Sequence, residues 1–107
     1  MSALQQRQFP IDRAIFGEVL ACLPSSWRRV KLVAAVKQTS SSGVVMDVRL
    51  DGFGQPGIAS VSEVLMGKIR ELFLLNNQFH TNLRGISYTY TLEPDGKWAW
   101  SADYTYA

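Results

Sequence analysis

Histidine and cysteine occur once each, as His80 and Cys22, and those two scarcities close off much of the chemistry open to a chain of 107 residues. A single cysteine excludes an internal disulfide and a thiolate-cluster metal site, and it fits a reducing compartment. A lone histidine with no Cys or carboxylate at ligand spacing does not make a zinc site. No apolar run approaches the roughly 20 residues that cross a bilayer. The opening MSALQQRQF lacks the charged and apolar regions of a signal peptide, so the expected location is the cytoplasm. Charge of one sign is scarce too. The 11 Lys and Arg against 9 Asp and Glu leave +2, too little to argue for nucleic acid.

Catalytic and cofactor motifs are equally thin. The glycines of DGFGQPG, Asp51 to Gly57, are not followed by Gly-Lys-Ser/Thr and so do not spell a phosphate loop. Cys22 falls on an apolar helical stripe, where a cysteine acts as a small hydrophobe. A triad of Cys22, His80 and Asp103 is a minor alternative, since any chain with one of each permits it. Asp47, Asp51, Asp95 and Asp103 do not group like metal ligands or paired glycosidase carboxylates. Neither a cofactor nor an enzymatic activity is expected.

What the chain does have is periodicity. Residues 1–9 are polar and are expected to fray. Pro10 suits the first turn of a helix. From there Ile11, Ile15, Val19 and Cys22 recur at helical spacing, with Asp12, Arg13 and Glu18 toward water, until Pro24 stops the helix. Strands follow at about 30–37 and 44–50, separated by the polar run QTSSSG, Gln38 to Gly43. Ser60 or Ser62 is a plausible N-cap for a second helix that runs to about Leu75 on a stripe of Val61, Val64, Leu65, Ile69, Leu72 and Phe73.

Two strands at about 86–93 and 97–106 close the chain around EPDG, with Pro94 and Gly96 in a tight turn. A Gly96 bulge places Leu92 opposite Trp98, Tyr90 opposite Trp100 and Tyr88 opposite Ala102. Tyr88, Tyr90, Leu92, Trp98, Trp100, Tyr104 and Tyr106 then share one face. Most of these rings are expected to be core, with the Tyr104 to Tyr106 end left for contact. The fold expected is a single α+β domain over 1–107, ordered α-β-β-α-β-β. Its antiparallel sheet carries both helices on one face. The exposed hairpin edge offers a surface for a homodimer across a two-fold axis.

Three segments carry a resemblance: LPSSWRRVKLVAAV, Leu23 to Val36; IRELF, Ile69 to Phe73; and DGKWAWSADYTY, Asp95 to Tyr106. In this order they resemble the YezG-type immunity proteins, antitoxins of bacterial polymorphic and contact-dependent toxin systems. The matching positions are Pro24, Trp27, Arg70, Glu71, Phe73, Gly96, Lys97, Asp103 and Tyr104. The resemblance covers most of 11–106. It implies a protein that binds a cognate toxin domain, typically a nuclease, and neutralises it by occlusion. Trp27, Arg28, Arg29, Tyr104 and Tyr106 are then the expected toxin-binding anchors, with Asp47 and Asp103 as rim charges. The alternative is a single-stranded nucleic-acid module that stacks bases on the hairpin rings, against which the low basic density argues.

Overall fold

The computed structural model describes residues 2–40 and 43–107. Its elements are α1 (Ala3–Cys22), β1 (Arg29–Ser40), β2 (Gly43–Asp51), α2 (Glu63–Gln78), β3 (Leu83–Leu92) and β4 (Trp98–Tyr106). The α+β order α-β-β-α-β-β is the one the sequence predicts. The strands form one antiparallel sheet in the order β2-β1-β3-β4. The polar run expected at 38–43 contributes its first residues to β1, and its Ser41 and Ser42 lie outside the described residues.

The expectation that 1–9 frays is corrected over Ala3–Phe9, which is helical. Ser2 and Gln5 form a capping box: the Gln5 N–H donates to Ser2 Oγ at 3.1 Å, and the Ser2 N–H donates to Gln5 Oε1 at 3.0 Å. Pro10 therefore sits inside α1 rather than in its first turn. It supplies no N–H to the Gln6 carbonyl. Contacts with the end of α2 hold this half of the helix: Arg7 lies over the Phe79 ring at 5.8 Å, and Asn76 Nδ2 donates to Gln8 Oε1 at 3.2 Å. The helix ends where expected, with Leu23 extended before Pro24.

Of the two candidate caps, Ser62 is the one used. Its hydroxyl accepts the Leu65 N–H at 3.1 Å, and Glu63 adds an acid to the first turn of α2. Ile15 and Val19 of α1 pack with Leu65, Ile69, Leu72 and Phe73 of α2 on Val30, Leu32, Ala34, Ile86, Tyr88 and Tyr90. That core lies on one face of the sheet and centres on β1 and β3. Val64, expected in the buried stripe, is 56% exposed.

The hairpin register matches the prediction, with Leu92, Tyr90 and Tyr88 opposite Trp98, Trp100 and Ala102. Glu93 N–H donates to the Lys97 carbonyl at 2.7 Å, and Gly96 takes φ +86°. The rings divide by strand: Tyr88 and Tyr90 are fully buried, whereas Trp100 and Tyr106 are 46% and 54% exposed at the sheet edge.

The two αββ halves repeat one arrangement without repeating sequence. Leu32 sits between Leu50 and Tyr88 as Ile86 sits between Tyr104 and Ala34. A local two-fold axis passes through the β1–β3 pairing where Val33 faces Ser87.

Candidate functional site

The helices cover one face of the sheet and leave the other open. Alternation puts Arg29, Lys31, Val33 and Ala35 of β1 on that open face. Val45, Asp47 and Arg49 of β2 and Ser101, Asp103 and Thr105 of β4 share it. Side chains here are short or flexible, and a shallow depression of about 340 Å³ lies among Lys31, Ala35, Arg49, Arg84, Gly85 and Asp103. Charges of both signs are interspersed. Arg29, Asp47 and Asp103, three of the expected partner-binding residues, therefore share one surface.

One end of that surface is built by the loop after β2. Gln55 straps it down: its Oε1 accepts the Arg28 N–H at 2.7 Å, and its Nε2 donates to the Arg29 carbonyl at 2.5 Å. Trp27 anchors the loop from the core side. Its indole N–H donates to the Pro56 carbonyl at 2.7 Å, and its ring lies against Gly52. With 5% of its surface exposed, Trp27 is a core residue rather than the surface anchor the resemblance implies. Between the two straps Phe53 adopts φ +53°, with its N–H donating to Asp51 Oδ1 at 2.9 Å. A phenylalanine in the left-handed region is strained by roughly 1 kcal/mol or more. The consequence is that its ring, 42% exposed, faces solvent under the Arg29 guanidinium at 4.2 Å. Phe53 was not among the expected residues; the signal for it is a large ring set between Gly52 and Gly54.

Tyr104 and Tyr106 lie on the other face, in a groove between α1 and β4. Two adjoining hollows of about 660 and 230 Å³ share Phe9 and Asp12. Asp12, expected toward water, is 8% exposed and accepts a hydrogen bond from the Tyr88 hydroxyl. Burial raises its pKa above the ordinary carboxylate value, and hydrogen bonds from Tyr88 and Gln8 oppose that rise. Gln8 Nε2 also donates to the Tyr104 hydroxyl at 3.0 Å. Burial holds the Tyr88 and Tyr90 phenols well above their ordinary value. Among the described residues the buried Tyr90 hydroxyl has no hydrogen-bond partner.

Cys22, His80 and Asp103 do not converge. The Arg7–Phe79 contact sets the end of α2 beside the start of α1. His80 thus lies at one end of the helix pair, while Cys22 is about 20 Å away at the other end of α1, by helical rise. Asp103 is on the open face, beyond the sheet. Among the described residues no three His, Cys, Asp or Glu side chains group as metal ligands. Among the described residues no helix is long and apolar enough to cross a membrane. No protein-family model matches this chain, and no curated protein matches it.

Proposed function

We propose that this chain is an immunity protein that binds a cognate bacterial toxin in the cytoplasm of the producing cell and neutralises it by occlusion. The observation that carries the reading is the Arg29–Phe53 stack at the end of the open sheet face. Arg and aromatic side chains dominate the energetics of protein interfaces when they sit in a fixed place within a surrounding polar rim. Here two straps hold the ring in a strained conformation that leaves it exposed at one end of the open face, and the polar residues Lys31, Arg49, Asp103 and Asp47 follow along that face. A shallow, wide face with short side chains suits a macromolecular partner better than a small ligand, which favours a deep pocket. The alternation of acidic and basic groups disfavours nucleic acid, whose phosphates select a single sign of charge. The resemblance of Leu23 to Val36 and of the terminal hairpin to immunity proteins supplies the class of partner.

The test is co-expression with the product of the gene immediately upstream. The expected result is a one-to-one complex and rescue of cells from that product's toxicity. Lack of rescue by the intact chain would count against the reading.

A further inference from the structure

We propose that β4 joins two copies of this chain edge to edge across a two-fold axis, fusing two four-stranded sheets into one. The strand order leaves β4 with a neighbour on one side only. At either end of β4, Glu93 N–H donates to the Lys97 carbonyl and Ala107 N–H donates to the Asn82 carbonyl. Odd-numbered residues of β4 therefore bond to β3. The N–H and C=O groups of Trp98, Trp100, Ala102, Tyr104 and Tyr106 point outward instead.

The two edges of the sheet differ in their defences. β2 carries Asp47, Arg49 and Asp51, the charged residues that discourage strand addition. β4, WAWSADYTY, holds one charge and no proline over its nine residues. Its outer side is a long, aromatic, unguarded edge.

The second copy is the occupant because this strand is complementary to itself in one register. Setting Ala102 opposite Ala102 of the second copy pairs every outward residue: Trp98 meets Tyr106, and Trp100 meets Tyr104. Cross-strand aromatic pairs of this kind stabilise antiparallel ladders. Asp103 then faces Ser101. Centring on Asp103 instead would oppose two like charges across a close pair, and it would leave outward groups unpaired at the ends. The chosen register also covers Trp100 and Tyr106, the large exposed rings of the edge. Antiparallel joining about a two-fold already occurs inside the sheet, at Val33 and Ser87.

The experiment uses the purified chain alone, so its result is independent of the immunity reading. Light scattering is expected to give twice the 12.0 kDa mass of one chain at micromolar concentration and above. Ala102→Pro removes the central outward N–H while leaving the bonds to β3, and is expected to give monomer. A second measurement covers the case in which that variant fails to fold. In a Cys22→Ser background, Ser101→Cys and Asp103→Cys chains are prepared separately. In the proposed register these two positions form a close pair within disulfide reach. Oxidation of the mixture is expected to give a covalent dimer containing one chain of each kind, whereas each variant alone stays uncrosslinked. A single-chain mass at every concentration, or equal crosslinking of the variants alone and mixed, would overturn the proposal.

Discussion

The Arg29 guanidinium rests 4.2 Å above the Phe53 ring, and Phe53 holds that position at φ +53°. Strain and presentation are thus separable by mutation. Asn tolerates the left-handed region, so Phe53→Asn relieves the strain while removing the ring. Thermal stability is expected to stay within about 1 kcal/mol of the parent, because the relieved strain offsets the lost cation–π contact. Affinity for the proposed toxin partner, by calorimetry, is expected to fall about tenfold or more, roughly 1.4 kcal/mol. Unchanged affinity would remove this end of the open face from the interface.

Gly52 makes the loop possible by its lack of a side chain. A Cβ there would lie 2.5 Å from the Trp27 ring, and the ring is confined by the core and by its bond to Pro56. Gly52→Ala is expected to destabilise by about 1–3 kcal/mol, seen as a Tm lowered by roughly 5–15 °C. Binding of the proposed toxin partner should weaken with it, since displacing Trp27 releases the strap under Phe53. A Tm equal to the parent's would show that Trp27 is not rigidly held.

Asp12 gives the fold a distinctive pH dependence. Its folded-state pKa is raised above the ordinary 3.8, so the folded chain holds a proton that the unfolded chain releases. Its favourable contribution is complete below about pH 4 and is lost as pH rises through the folded value. Asp12→Asn keeps a carbonyl to accept the Tyr88 hydroxyl and abolishes the titration. The difference in Tm between Asp12→Asn and the parent is expected to favour the variant at pH 7 and to shrink toward pH 4. A difference that is constant with pH would mean that Asp12 ionises at its ordinary value.

Ser62 should be needed for α2. Ser62→Ala leaves the Leu65 N–H without its acceptor and is expected to cost about 1 kcal/mol in denaturant unfolding. Ser60→Ala, at the neighbouring candidate cap, is expected to leave the midpoint unchanged.

Local signals were legible in the sequence, and signals that depend on distant segments were not. EPDG with period-two alternation is enough to fix the hairpin register, because a turn and its flanking strands share one short window. The start of α1 was hidden by Pro10, which suits a first turn, although Ser2 and Gln5 carry the capping-box spacing. The central β1–β3 pairing joins segments on either side of α2, and nothing local marks it. Asp12 looks solvent-facing on a helical wheel, yet it is buried because Tyr88 reaches it from the sheet. Arg29 is a contact candidate from the sequence, but the ring that completes its surface is not legible there, because Phe53 meets Arg29 only through the folding back of the loop.

The twofold resemblance of the αββ halves also bears on how the chain assembles. Each half contains a hairpin that closes over a short sequence separation, whereas the β1–β3 seam must wait for the halves to meet. Neither half alone covers both its helix stripe and its sheet, so the seam behaves like a subunit interface placed inside one chain. Severing the connection between β2 and α2 should therefore leave two fragments that are poorly ordered apart and recover a common fold when mixed.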